Sequence, residues 1–438
     1  MSTATHGVAP NQSWQGSKPQ IGVHDIPPEL WALIFETIIH SDDTTPSRVL
    51  LLHICRFLRQ IALTTPQLWT TLRITARSDA QQVNFFLQKS TSLPVDVFLN
   101  LYLYNLDNRV ADLLHAHLHR LQTFELRARD RDQAQKVLSM IGRDQPAPFL
   151  KRLSVRVTKP PRRQYDAQTG FSVIEPAFSA APVLDTLMLP LCHLPSDKNI
   201  IFSPSLTHLI LDQPTYFFPS LNWEWIFSAF KAIRNLQSFT FNGPTTDVRT
   251  SPGNILNSFH SQSLTSIDMT APGYGLSIIR TLTAPLLKKV RIDALGQRAL
   301  FFNKNMTDRW TAENGLNAMI LSILSRRSPC LTHIELCGID MGESGAVWLQ
   351  GVVFPMLEHL TLNDVMIEDF SLLESVFGSA SLRVLEFVAF RDISAGGLFS
   401  FVTNRQPSIQ VVLRACPDIE DTFLENLSDV AAVQVISE

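Results

Sequence analysis

From Trp69 onward, apolar residues recur in one short pattern, LxxLxL, separated by polar or mixed stretches. The pattern starts at Trp69-Leu72-Ile74, Leu121-Phe124-Leu126, Leu150-Leu153-Val155, Leu184-Leu187-Leu189, Leu206-Leu209-Leu211 and Leu236-Phe239-Phe241. It returns at Leu264-Ile267-Met269, Leu287-Val290-Ile292, Leu331-Ile334-Leu336, Leu357-Leu360-Leu362 and Leu382-Leu385-Phe387. The alternation of the last two positions predicts a short strand in each unit. Val95, Val97, Leu99 and Leu101 alternate in the same way and predict another strand from Pro94 to Leu101; Ile409 to Leu413 is a weaker last one. Between strands, Ala312 to Arg326, Phe370 to Phe377 and Ser394 to Val402 have helical spacing. Prolines at 148, 182, 204, 285, 329 and 355 stand just before strands, where they end a helix and start a turn. The units follow one another mostly at 22 to 34 residues, with a longer step of 44 after Leu287. One such unit cannot bury its apolar face, whereas stacked units share a continuous core. The expected class is therefore α/β, with an irregular repeat array from 73 to 417.

The segment before Leu72 has a different period. Pro27 and Pro28 suit the lead-in and first turn of a helix, with Glu29 favourably placed at its positive end. Leu30, Leu33, Ile34 and Ile38 then form a stripe. Ser41 to Thr44 is a polar break, Thr45 an expected N-cap with Pro46 at the first helical position, and Thr65 before Pro66 an expected end. Val49, Leu50, Leu52, Ile54, Leu58, Ile61 and Ala62 supply apolar faces over two further short helices. Three helices within residues 23–72 make a unit too small to hold a large core alone. Residues 1–22 are polar, lack any apolar period and read as a disordered tail.

Composition narrows the function classes. The chain has 438 residues, 45% of them hydrophobic and 18% charged, enough for one small and one large domain. A net charge of −3 gives no general drive toward nucleic acid or an anionic membrane, and no apolar run is long enough to span a bilayer. Five scattered cysteines, Cys55, Cys192, Cys330, Cys337 and Cys416, form no CxxC pair and are odd in number. That argues for a reducing, intracellular compartment, nuclear or cytoplasmic, without a disulfide framework or zinc site. No N-terminal run resembles a signal peptide, so secretion is not expected.

Signals for catalysis are weak. His115, His117 and His119 lie close together, and 115 and 119 would share a helix face, but no acid or cysteine accompanies them. GxSxG, P-loop and GxGxxG patterns are missing. Pro272-Gly273-Tyr274-Gly275 and Ser394-Ala395-Gly396-Gly397 read as turns or helix starts, and Cys55 as a small packing residue. Lys159-Pro160-Pro161-Arg162-Arg163 reads as an exposed loop. Asp418 to Glu438 carries six acidic residues and no Lys or Arg, an expected polar cap over the last repeat. No enzyme activity, cofactor or metal is expected.

Three stretches carry a resemblance. Ile26, Pro27, Glu29 and Leu30, then Ile54, Cys55, Arg56 and Arg59, then Leu68 and Trp69, follow the order of an F-box, the helical module that docks proteins onto the Skp-type adaptor of cullin–RING ubiquitin ligases. The family's middle tryptophan is replaced by Leu58. Leu68-Trp69 to Ile74, Val83 to Lys89, Ser90-Thr91-Ser92-Leu93-Pro94 and His119-Arg120-Leu121 resemble the large fungal group of F-box proteins with degenerate leucine-rich repeats. The asparagine that many leucine-rich repeats place after the strand is not systematic here. The resemblance is specific over the first hundred residues and weaker afterwards. It implies an N-terminal all-helical F-box followed by a horseshoe solenoid with a parallel sheet on its concave face. It implies a substrate receptor that joins the adaptor, and through it a cullin, to a target protein, and that is monomeric outside the complex. The alternative is a repeat scaffold with a degenerate F-box, binding partners without ubiquitin transfer.

The implied adaptor contacts are Ile26, Pro27, Pro28, Glu29, Leu30, Ile34, Leu52, Ile54, Cys55, Leu68 and Trp69. For the target, alternation of side chains along each strand places Glu125, Arg127, Arg152, Arg156, His208, Asp212 and Asp268 on the face opposite the leucines. Lys289, Arg291, His333, Glu335, His359, Asn363 and Glu386 belong to the same face. Such a ladder suits a protein partner read by polar and charged contacts.

Overall fold

A computed structural model of the chain describes residues 25–41, 45–75, 77–102, 105–143, 146–158, 178, 181–190, 203–212, 223–243, 259–270, 278–279, 281–293, 320–339, 351–365, 370–389, 395–404, 409–416 and 421–436. The expected tail over 1–22, the loop Lys159 to Arg163, the turn Pro272 to Gly275 and nearly all of residues 157–180 and 295–315, where the longer steps between units carry insertions, lie outside the described residues. The described chain divides into two compact units. One holds residues up to Thr70 with Phe86–Leu93, and the other holds Thr71–Phe85 and Pro94 onward.

The first unit contains three helices: α1 (Pro28–Ser41), α2 (Thr45–Ile54) and α3 (Arg56–Thr64). The Pro27 carbonyl starts α1 by accepting from the Leu30 and Trp31 amides, at 3.1 and 3.3 Å. The apolar stripe legible in the sequence is not the one that packs inward. Phe35 and Ile39, one turn apart, are buried, while Leu30, Leu33, Ile34 and Ile38 remain exposed. Between α2 and α3 the chain breaks at Cys55, which is extended at φ −155°, ψ 169° and caps α3 with its Sγ, 3.5 Å from the Leu58 amide. Cys55 is thus an exposed cap and not the packing residue expected of it. Helix α3 buries Leu58, Ile61 and Ala62, then ends at Thr65–Pro66 as the sequence predicts. A 3₁₀ turn carries Trp69 into the core, where its indole Nε1 donates to the Ala62 carbonyl at 2.8 Å and its ring lies 5.2 Å from Phe86.

The second unit is built on parallel strands. In chain order they are β1 (Thr71–Thr75), β2 (Val95–Leu101), β3 (Leu121–Ala128), β4 (Arg152–Val157), β5 (Thr186–Pro190), β6 (His208–Asp212), β7 (Ser238–Asn242) and β8 (Phe259–His260). They continue as β9 (Ser266–Thr270), β10 (Leu282–Thr283), β11 (Lys289–Asp293), β12 (His333–Cys337), β13 (His359–Asn363), β14 (Val384–Val388), β15 (Gln410–Arg414) and β16 (Ala432–Ile436). Among the described residues, fourteen form one sheet that follows chain order, and β8 pairs with β10 beside it. Helices α4 (Ala80–Lys89), α5 (Asn108–Ala116), α6 (Arg131–Ile141), α7 (Trp223–Ala232), α8 (Phe370–Phe377), α9 (Ala395–Thr403) and α10 (Asp421–Ser428) lie between strands in sequence. Every strand expected from the LxxLxL pattern is present. The C-terminal acidic stretch contributes the last strand, β16, which pairs in register with β15 and stays largely exposed.

Two local devices recur. Before the strands, the amide of the first leucine donates back three residues, as in Leu150 to Ala147, Leu206 to Ser203, Leu287 to Ala284 and Leu382 to Ser379. Where that turn reads Ser-x-Ser-Leu, it bonds to the preceding turn. Ser203 and Ser205 both donate to the Pro182 carbonyl, and Ser379 and Ser381 both donate to the Pro355 carbonyl. After the strands, Gly338, Asp364, Ala389 and Ala415 take φ between 47° and 64°. The amides of these four donate to the last residue of the next strand, at 2.8 to 3.0 Å. Only the first is glycine, so the alanines carry a left-handed penalty of about 1–2 kcal/mol. Ala389→Gly is therefore expected to raise stability by about 0.5–1 kcal/mol, net of the greater freedom of the unfolded glycine. Urea denaturation of the full chain measures this, and a loss of stability would contradict it.

Candidate protein-interaction surfaces

On the helical unit, the residues that stay outside are as apolar as those inside. Leu30, Leu33, Ile34 and Ile38 are between 39 and 59 % exposed, and Leu50 and Ile54, one turn apart on α2, are 62 and 59 % exposed. Large aliphatic groups at this exposure mark a surface that water does not favour. Of the expected adaptor contacts, Pro27, Pro28, Glu29, Leu30, Ile34, Ile54 and Cys55 are exposed, and Ile26 and Leu52 are half-buried. The Leu52 carbonyl also accepts from the Arg59 guanidinium Nε. Leu68 and Trp69 are core residues and offer no surface, because the 3₁₀ turn directs both inward. Leu33, Ile38 and Leu50, omitted from the expected contacts, belong to the exposed stripes. Their spacing from Leu30, Ile34 and Ile54 is the signal that could have found them. Leu58, at the family's tryptophan position, is buried, so the replacement alters the interior of the unit and not this surface.

In the sheet unit, the polar residues expected opposite the leucines do share one face, here the open face. None of Arg127, Arg152, Arg156, His208, Asp212, Asp268, Lys289, Arg291, His333, Glu335, His359, Asn363 and Glu386 is buried. Strand register sorts them into rows. The middle row runs Asp268, Arg291, Glu335, Thr361, Glu386 across β9 to β14. A row nearer the strand starts runs Lys289, His333, His359. Ion pairs tie the rows together. Arg291 reaches Asp293 at 2.7 Å, Glu335 at 3.0 Å and Asp268 at 3.2 Å. Arg414 meets Glu386 at 3.1 Å, and the same carboxylate accepts from Thr361. Arg127 pairs with Glu125 at 2.8 Å and Arg156 with Asp212 at 3.5 Å. Asp293 and Arg414 were missed in the sequence, although they occupy the same strand-end offset as Asp212 and Asn363. Met188 and Ile210 were missed because an apolar residue at an outward position looks like a core residue in one dimension. They interrupt the middle row, with the Ser154 hydroxyl directed to the Met188 Sδ at 3.1 Å.

The electrostatics follow the packing. Burial would lower the Arg291 pKa, but Glu335, Asp268 and Asp293 outweigh it and hold the guanidinium above its ordinary value. Burial raises the Asp268 carboxyl despite Arg291 beside it. The Cys337 thiol is pushed up to about 12, by burial first and then by Asp293 and Glu335, so at neutral pH it is a thiol and not a nucleophilic thiolate. His333 and His359 stack face to face, with centroids 4.4 Å apart and planes 6° apart. Burial, then His359, then Lys289 lower the His333 pKa, against Glu358.

The histidine triplet does not form a helical pair. Helix α5 ends at Ala116, His117 caps it, and the His115 Nδ1 lies 2.9 Å from the Ile141 carbonyl. Among the described residues, no group of three or more His, Cys, Asp or Glu could hold a metal ion, and no helix is long and apolar enough to cross a membrane.

Two outcomes are expected from the open face. Arg291→Leu leaves three carboxylates facing one another and should cost about 1–2 kcal/mol near neutral pH, allowing for solvent access. The cost should shrink in acid as those carboxylates take up protons, and an equal cost at all pH would contradict this account. The His333 pKa is lower in the folded state, so protonation favours unfolding. Its contribution is full above the unfolded value of 6.5 and is lost as pH falls from there through the folded value. His333→Gln should flatten the stability profile over that window, as read by denaturation across pH. No family model matches the chain, and no curated protein matches it.

Proposed function

We propose that this chain is a substrate receptor of a cullin–RING ubiquitin ligase, in which the helical unit is an F-box and the strand repeats form a leucine-rich-repeat solenoid. The observation that carries the reading is the double use of one small helical unit. Phe35, Ile39, Leu51, Leu58 and Ile61 already fill its core, so Leu30, Leu33, Ile34, Ile38, Leu50 and Ile54 are surplus apolar surface. In a partner complex that surplus is useful, since aliphatic groups at helical spacing fit an apolar groove. The residues that resemble the F-box pattern lie in the same unit, which supports a Skp-type adaptor as the partner.

The open face of the sheet is the companion surface. It presents charged and hydrogen-bonding groups on a packed strand scaffold and suits recognition of a folded or extended protein target. No bond is made or broken by the chain itself in this mechanism. Adaptor docking and target docking on one chain raise the target lysine's effective concentration near the ubiquitin-loaded enzyme. An adaptor interface of ordinary extent buries about 1,600 Å² in total.

Full-length chain co-expressed with the Skp-type adaptor is expected to co-purify in equal amounts. Leu33→Asp with Leu50→Asp should abolish capture by at least about a hundredfold while leaving the fold intact, because both side chains are exposed. Capture that survives the double change, or a well-folded wild-type chain that is not captured, would sink the assignment and favour the scaffold alternative.

A further inference from the structure

The starts of β11 to β14 form the basic rim with the most cationic side chains in register on the open face. Lys289, His333 and His359 stand in register on three neighbouring strands. One residue earlier, Lys288, Thr332, Glu358 and Arg383 form a second row. It is held by backbone bonds from Thr332 to Lys288, Glu358 to Thr332 and Arg383 to Glu358, at 2.8 to 2.9 Å. Lys288, Lys289 and Arg383 are exposed, and among the described residues none of them enters an ion pair. Glu358 is the one carboxylate in these two rows. Elsewhere on the face most arginines are matched: Arg127, Arg156, Arg291 and Arg414 each have an acid within 3.5 Å, and Arg152 at the start of β4 stands apart from them.

We propose that this rim binds an acidic segment of a partner protein, with Lys288, Lys289 and Arg383 as its cationic contacts and the His333–His359 pair as hydrogen-bond donors beside them. Charge complementarity selects the occupant. Three full charges without an ion pair among the described residues lie within four strands, repel one another and gain from an intervening string of carboxylates, to which the imidazole N–H groups can also donate. The adjacent row keeps that string in place. Asp268, Asp293 and Glu335 outnumber Arg291, so the ground beyond the rim repels an acidic chain. Four strands at about 4.8 Å spacing span about 14 Å, the reach of about four or five extended residues.

Protonation couples to this binding. The charged groups on the elements around the imidazoles are Lys288, Lys289, Glu335, Glu358 and Arg383; of these, Lys289 and Glu358 act on His333, together with His359. A carboxylate seated against the His333 ring favours its charged form, so affinity rises as pH falls. The proposal rests on the open face being a target surface, but not on the adaptor.

A fluorescein-labelled hexaglutamate peptide titrated into the full-length chain at low salt, followed by anisotropy, tests it. Lys289→Glu with Arg383→Glu should weaken binding at least about tenfold, and Arg109→Ala, an exposed charge on α5, should leave it unchanged. Wild-type affinity should rise at least about threefold between about pH 7.5 and about pH 6. Equal binding by the charge-reversed variant, or ready displacement by millimolar inorganic phosphate, would overturn the proposal, the latter by making the rim a free-oxyanion site. Adaptor capture by the same variant keeps the two readings apart. Capture retained with peptide binding lost supports the rim, and capture lost in the wild type leaves the peptide result standing.

Discussion

A parallel strand with leucines at alternate positions has a face that must leave water and edges of unpaired backbone groups, and it can satisfy neither alone. This need organises the whole sheet unit. Each strand settles in register beside its predecessor, so Leu153 lies next to Leu187, then Leu209, Phe239, Ile267 and Val290. The turns before strands and the left-handed residues after them exist to hold that register where the chain reverses. Serines in the turns are buried, as at Ser203, Ser261, Ser328 and Ser379, and Ser203 and Ser379 donate their hydroxyls to neighbouring backbone.

The same register that buries the leucines decides the chemistry of the opposite face. Because side chains alternate, every polar residue between two leucines is brought beside its counterparts on the flanking strands. Arg291 meets Asp268 and Glu335 across 23 and 44 residues of sequence for that reason alone. Much of the face is therefore already paired within itself. Its capacity for new contacts concentrates where pairing is incomplete, at the stacked histidines and the lysines beside them.

The helical unit shows the reverse economy. With about fifty residues it cannot hide every apolar side chain, and its helices divide theirs between an inner stripe and an outer one. On α1 the two stripes lie side by side, Phe35 and Ile39 inside, Leu30, Leu33, Ile34 and Ile38 outside. Trp69 closes the inner one through a single indole bond to the carbonyl of Ala62.

By itself the sequence determined the α/β class, the run of strands along the chain and most of the polar residues opposite the leucines, since period-two alternation is a local property that survives any tertiary context. It also determined where α3 stops, because Thr65–Pro66 forbids continuation. It could not say which of two apolar stripes on α1 faces inward, since both have helical spacing and only the neighbouring helices choose. It misplaced Leu68 and Trp69 on a surface, and it did not show that the C-terminal segment adds another strand, since β16 lacks the LxxLxL spacing and stays largely exposed at the sheet edge. The ion-pair clusters, the histidine stack and the unmatched rim were beyond it for one reason. They join residues tens of positions apart, and only the strand register brings those residues within a few ångströms.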